Sequence, residues 1–252
     1  MKQVIILKKK DGETPLESLE VFRRKHPVYK TVPMTYAGRL DPMASGLLLV
    51  LAGEECKNKE KYLALDKEYE FEVLFGFATD TYDILGKIQH SHILQNVRMS
   101  GQDLEKAIKQ NLKYFTGKFI QKYPIYSSKT VKGKPLFEYG REDLEVEVPE
   151  REVNVKSLKF LKLRKINSEK LLENIEKRVS KVRGDFRQKE IIAIWKKELK
   201  KEGNFFIGSF KVRCGSGTYV RGIANSLGEK LGAPALAFSI KRTKIGKFTK
   251  EM

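Results

Sequence analysis

Cysteine is scarce. Cys56 and Cys214 are the only two in 252 residues and lie far apart, which excludes a disulfide framework and the close paired spacing of a structural zinc site. Histidine is limited to His26, His90 and His92. The H-x-H pair has no further His or Cys near it and reads as loop, so no metal is expected. None of the three histidines sits beside a nucleophile motif, and neither Ser-His-Asp nor Cys-His catalysis is suggested. Long hydrophobic runs are missing too. The N-terminal run from Val4 to Leu7 is too short for a signal peptide or a bilayer span, so no membrane association is expected and a reducing, cytoplasmic setting fits. The chain also lacks internal repeats and low-complexity linkers. Its length fits one elaborated domain over residues 1–252.

Positive charge is abundant. Fifty Lys and Arg against 32 Asp and Glu leave a net +18, spread along the whole chain rather than held in one tail. A polyanionic partner follows from that balance, with simple solvation by lysine as the alternative.

Residues 3–8 read as a strand. Thr14, Pro15 and Glu17 then carry the marks of a capping box opening a helix to about Arg24. The run "LLLVLAG" from Leu47 reads as a buried strand, residues 54–66 as a helix, and residues 67–76 as a strand alternating Tyr69, Phe71, Val73 and Phe75 with a wetter face. A Ser100 to Asp103 box opens a further helix. Residues 119–148 alternate basic and aromatic residues without a lasting period and read as an exposed basic insertion. Residues 167–203 form a Lys-rich helical insertion broken near Gly184. The last segment reads as strand, glycine turn and helix, with Arg221 in the first helical turn and Gly232 as the C-cap. Irregular interleaving of half-exposed strands and helices indicates an α+β fold with a mixed, mostly antiparallel sheet.

The glycine turn "GSGTYVRG" at 215–222 fits neither a Walker loop nor the dinucleotide fingerprint, whose third glycine is Val220 here. With nucleotide loops and histidine nucleophiles set aside, carboxylates must lead any catalysis. One stands out. Asp41, in "YAGRLDPMASGLLLVLAG" at 36–53, precedes a proline and an apolar strand, although an Asp-Pro pair alone is also a common turn opener.

Four stretches in order, spanning residues 36–248, resemble the pseudouridine synthases typified by the bacterial TruB enzymes of the tRNA T-arm. "AGRLDPMASGLLLVLAG" is similar to that family's G-x-LDP-x-A-x-G motif and "DKEYEFEVLFGFATDTYDILGKI" to its DK-x-Y and TDT-x-D stretch. "KYPIYSSKTVKGKPLFEYGRE" is similar to its PP-x-YSA-x-K insertion, and "VRCGSGTYVRGIANSLGEKLG" with "IKRTKIGKF" to its closing GTYIR and LRRT motifs.

The resemblance implies isomerisation of uridine at position 55 of the T-arm loop, without metal or cofactor, on the pseudouridine synthase fold. It makes Asp41 the catalytic nucleophile and Arg221 its cationic partner. Tyr69 becomes the aromatic face for a flipped-out uridine, Tyr219 a pocket-floor residue and Ile240 an apolar contact for uracil, while Asp83 hydrogen-bonds either the RNA or its own turn. Arg39, Lys122, Lys129, Lys132, Arg141 and Arg242, with neighbouring Lys118, Lys134 and Lys241, would form an RNA groove, and the 119–148 segment a thumb that orders on RNA. Tyr36 stands where the family has His, "KKKDGETP" replaces its DKP-x-G-x-S, and Ser128 replaces the Ala of YSA. A stand-alone monomer without the C-terminal PUA domain of many members is expected. The rival readings are the same chemistry on another RNA, and a catalytically silent RNA-binding or RNA-folding protein.

Overall fold

The computed structural model of the protein describes residues 2–91, 100–200 and 202–249. Strand β1 (Val4–Lys9) turns into helix α1 (Pro15–Lys25), and the predicted capping box closes there. The Thr14 hydroxyl accepts from the Glu17 amide at 3.2 Å, and the Glu17 carboxylate accepts from the Thr14 amide at 2.7 Å. Strands β2 (Met34–Ala37) and β3 (Ala44–Ala52) follow, with Asp41 in the loop between them. The stretch 54–66, expected as one helix, is a 3-10 run (Gly53–Asn58) and a short helix α2 (Lys59–Leu63). Neither has a side-chain cap to support a longer helix.

Strand β4 (Lys67–Phe75) realises the expected alternation, burying Tyr69, Phe71, Val73 and Phe75 and exposing Glu70. Strands β5 (Phe77–Thr79) and β6 (Ile88–Ser91) pair as a small separate sheet. His90, expected in a loop, lies in β6, while His92 is outside the described residues. Helix α3 (Gly101–Asn111) starts at the Ser100 cap. The basic insertion is more ordered than its sequence suggests: β7 (Gly117–Lys122), the hairpin β8 (Thr130–Val131) with β9 (Lys134–Pro135), and α4 (Leu136–Arg141).

A long strand β10 (Glu150–Asn167) then leads into α5 (Ser168–Val179) and α6 (Gln188–Glu198), and the chain returns as β11 (Asn204–Cys214). Gly184, at φ +86°, falls between the two helices, where the break was expected. Helix α7 (Val220–Leu231) ends at Gly232 in the left-handed conformation, and β12 (Ala235–Ile245) closes the fold.

The main sheet runs β1-β3-β12-β4-β11-β10-β7, with β2 also paired to β3. Its strand pairs are antiparallel except β3 with β12, where Ile240 lies opposite Ala44 and Arg242 opposite Gly46. The sheet is therefore mixed and mostly antiparallel, in an α+β fold. A Cβ on Gly46 would come within 2.2 Å of the Arg242 carbonyl oxygen, so this seam requires glycine. Helices α3 and α7 cover one face of the sheet through Leu104, Ile108, Ile223 and Leu227. Helices α5 and α6 cover the other through Leu171, Ile175, Ile191 and Trp195. Burial of both faces fixes the strand ends, and the loops carrying Asp41 and Asp83 meet the first turn of α7, which carries Arg221, at one cavity.

Candidate active site

Arg221 and Asp41 form a forked ion pair. Arg221 Nε donates to Asp41 Oδ2 at 2.8 Å and Nη2 to Oδ1 at 3.2 Å, the two-point geometry that suits a planar guanidinium and a carboxylate. The Arg221 side chain is 3% exposed and that of Asp41 39%, so the cation is interior and the carboxylate faces the cavity. Burial opposes the charge on Arg221, but Asp41 and Asp83 beside it outweigh burial and hold its pKa above the usual value. The remaining nitrogen, Nη1, donates to the Thr81 carbonyl, and Nη2 reaches the Tyr126 carbonyl at 3.3 Å. Three separate loops are thereby fastened to one guanidinium.

Buried cations also hold the loop that presents Asp41. Lys9 Nζ donates to the carbonyls of Pro42 at 3.3 Å and Ala44 at 2.5 Å, just past Asp41. Burial pulls the Lys9 pKa down to about 8. Arg242 donates to the Leu47 carbonyl at 2.8 Å, Gly38 at 3.1 Å and Arg39 at 3.4 Å. Arg242 was expected among cations facing RNA. It is instead 1% exposed, because its fork is the partner these carbonyls need once they leave water.

Asp83 hydrogen-bonds its own turn: its carboxylate accepts from the Thr81 hydroxyl at 2.8 Å and the Leu85 amide at 2.9 Å, and it lies 3.9 Å from Arg221. Burial drives its pKa up to about 6, against the pull of Arg221.

These groups border a cavity of about 600 Å³, lined by Asp41, Arg221, Tyr36, Tyr69, Asp83, Tyr219 and Ile240 among others. Tyr69 ends the apolar stripe of β4 and is nearly buried, as is Ile240 on β12. Tyr219 is the residue preceding α7, its ring edge-on to Tyr123 at 5.6 Å. Arg39, Lys122, Lys129, Lys132 and Arg141 are exposed; of these, Arg39 and Arg141 border the cavity. Lys122 lies 3.8 Å from Glu150. Among the described residues no His, Cys, Asp and Glu side chains gather into a metal-binding group, and no helix is long and apolar enough to cross a membrane.

The structure adds residues that sequence reasoning missed. Gln121, buried on β7, accepts from the Tyr219 amide and donates to the Tyr219 carbonyl, each at 2.9 Å. Lys9 hid in a run of three lysines. Phe186 and Arg187, in the connector between α5 and α6, also line the cavity. The one local signal for Gln121 is its place at an inward position of a strand, between exposed Ile120 and Lys122.

A chain of the crystal structure of a Cbf5-Nop10-Gar1 complex superposes with a TM-score of 0.57 at 18% identity, over 98% of this chain and 50% of that one. A structure of an H/ACA RNP bound to a substrate RNA containing 2'-deoxyuridine gives a TM-score of 0.54 at 18% identity, over 98% and 49%. The protein thus has the pseudouridine synthase fold, and it spans about half the length of those chains. The model of the TruB family pseudouridylate synthase N-terminal domain matches residues 25–180. Proteins named tRNA pseudouridine synthase B are similar over almost the whole chain: that of Lactobacillus acidophilus is 31% identical over 95% of this chain and 67% of its own, and that of Azoarcus sp. 32% over 97% and 65%. The chain belongs to the TruB family of pseudouridylate synthases.

Proposed function

We propose that the protein is a cytoplasmic tRNA pseudouridine synthase that isomerises the uridine at position 55 of the T-arm loop, with Asp41 as nucleophile. The observation that carries this reading is the forked Arg221–Asp41 pair, its carboxylate open to a cavity of about 600 Å³. The names of its relatives support tRNA as the substrate, and the motifs shared with T-arm enzymes support the position.

In the reaction the N1–C1′ bond breaks, the uracil turns, and a C5–C1′ bond forms; C5 loses its proton and N1 gains one, so composition and oxidation state are unchanged. A uridine in folded RNA must leave its stack to reach Asp41, which costs a few kcal/mol. Tyr69 offers an aromatic face to receive it, and Ile240 apolar surface. Arg221 supplies a fixed cation that grips and aims the Asp41 carboxylate as water leaves, an electrostatic arrangement set before the substrate arrives. The exposed Arg39, Lys129, Lys132 and Arg141 hold phosphates of the T-arm.

Incubation with tRNA tritiated at uracil C5 tests the proposal. Tritium release by the unaltered protein, lost in Asp41→Asn and lost when the T-arm uridine is replaced, is the expected result. Absence of release despite tRNA binding would leave a silent RNA-binding protein. Release that persists after the T-arm change would move the substrate to another uridine.

A further inference from the structure

The excursion between β10 and β11 is a Lys-rich helical insertion that no motif accounts for, yet its connector, residues 180–187, reaches the cavity. Phe186 and Arg187 share its lining with Asp41. Arg187 Nη1 bonds Asp80 Oδ2 at 2.7 Å, and its guanidinium carbon sits 4.5 Å from the centroid of the Tyr126 ring. Both members of this ion pair are largely buried, their side chains 21% and 11% exposed, so water screens it little.

The connector is itself held firmly. Arg187 has φ +62°, a conformation unfavourable for a residue with a side chain. The Gln188 side chain accepts from the Phe186 amide at 3.0 Å and donates to the carbonyls of Val182 at 2.9 Å and Gly184 at 2.8 Å, which clasps the turn shut. From outside, Arg141 Nη2 donates to the Asp185 carbonyl at 3.0 Å. Lys87 pairs with Glu190 at 2.7 Å. Beneath, Trp195 is fully buried and packs on Phe77 at 4.9 Å between ring centroids, on β5, the strand that leads into the loop carrying Asp80 and Thr81.

What the connector grips bears on Arg221. The Tyr126 hydroxyl donates to the Gly140 carbonyl at 2.8 Å, its ring lies under Arg187, and its own carbonyl accepts from Arg221. Asp80, the other partner of Arg187, precedes Thr81, whose carbonyl also accepts from Arg221. One arginine thus spans the two segments whose carbonyls orient the other.

We infer that Arg187 is a positioning residue for the Asp41–Arg221 pair: pairing with Asp80 and stacking on Tyr126, it locks the Thr81 and Tyr126 carbonyls that set the angle of the Arg221 fork. The α5–α6 hairpin is then a buttress of the reacting centre. A phosphate-binding arginine needs a guanidinium open to solvent, whereas this one is largely buried against an acid and a ring. The inference rests on the reading of Asp41 and Arg221 as the reacting pair.

The test measures single-turnover tritium release and, separately, RNA affinity, for the unaltered protein, Arg187→Ala and Arg187→Lys. Arg187→Ala is expected to slow release by about tenfold or more with affinity changed less than about twofold, the pattern of a lost transition-state arrangement. Arg187→Lys, which keeps the ion pair with Asp80 but not the planar stack, is expected to recover part of the rate. If Arg187→Ala does not fold, Asp80→Asn, which removes the charge opposite the guanidinium, takes its place. Weakened affinity with an unchanged rate would make Arg187 an RNA contact and overturn the inference. So would a lower melting temperature with an unchanged rate. Failure of the unaltered protein to release tritium would instead overturn the proposed function.

Discussion

Gln121 closes a two-way clasp on Tyr219, accepting from its amide and donating to its carbonyl at 2.9 Å each. The clasp ties the strand that opens the basic insertion to the start of α7, two residues before Arg221. Gly222 leaves room for it, since a Cβ there would come 2.8 Å from Gln121 Nε2. Gln121→Ala is therefore expected to leave the part-buried Tyr219 amide without its acceptor, while the Tyr219 carbonyl keeps the Ile223 amide, and to cost about 1–3 kcal/mol of stability, read by chemical denaturation. Tritium release should slow as well, because the first turn of α7 loses its tether.

Arg221→Lys separates charge from shape. A lysine keeps the cation but cannot grip both oxygens of Asp41 while also bonding Thr81 and Tyr126. The expected result is a loss in rate on the order of a hundredfold with RNA affinity preserved, measured under single-turnover conditions.

Asp83 makes stability depend on acidity with a defined sign. Its pKa rises from 3.8 to about 6 on folding, mainly through burial, so in that window the folded protein binds the proton more tightly than the unfolded chain. The contribution of this group is greatest at low pH and declines as pH rises through the window. Asp83→Asn keeps an oxygen for Thr81 and removes the titration. The melting temperature of the unaltered protein minus that of Asp83→Asn is thus expected to fall between about pH 4 and pH 6 and to level off above. A difference that rises over that range would contradict the burial argument.

Basic residues divide into two kinds by what they touch. Arg242 donates in the interior to two loop carbonyls and to the Leu47 carbonyl of β3, so Arg242→Ala is expected to cost about 3 kcal/mol or more of stability. Lys129→Ala and Lys132→Ala, at exposed positions, are expected to leave the melting temperature almost unchanged and each to lower the salt slope of RNA affinity by about one. Titration of RNA binding at several salt concentrations, with thermal denaturation alongside, distinguishes the two.

Local features were legible in the sequence. The Thr14–Glu17 box, the alternation of β4, the break at Gly184 and the cap at Gly232 each depend on neighbours a few residues away. Arg221 could be placed in the first turn of a helix, and Asp41 in a loop feeding an apolar strand, for the same reason. What escaped was the assignment of polar side chains to distant partners. Gln121 finds Tyr219 across 98 positions, Arg187 finds Asp80 across 107, and Arg242 finds Leu47 across 195. A lysine or arginine in a charged run looks the same whether it meets solvent or a buried carbonyl, and the three-dimensional register decides between them. Arg242 illustrates the cost of that ambiguity: beside exposed Lys241 it reads as surface, yet strand alternation turns it inward.

The α5–α6 hairpin leaves the sheet at Asn167 and returns at Asn204, and these two residues face each other as the last pair of the β10–β11 ladder. An excursion that departs and re-enters on a single rung can be gained or shed in evolution without shifting the register of either strand. The sheet is indifferent to its presence, but the cavity is not, since Phe186 and Arg187 at its tip form part of the wall. Deleting the hairpin at this rung would leave the ladder intact and open that side of the cavity in one step.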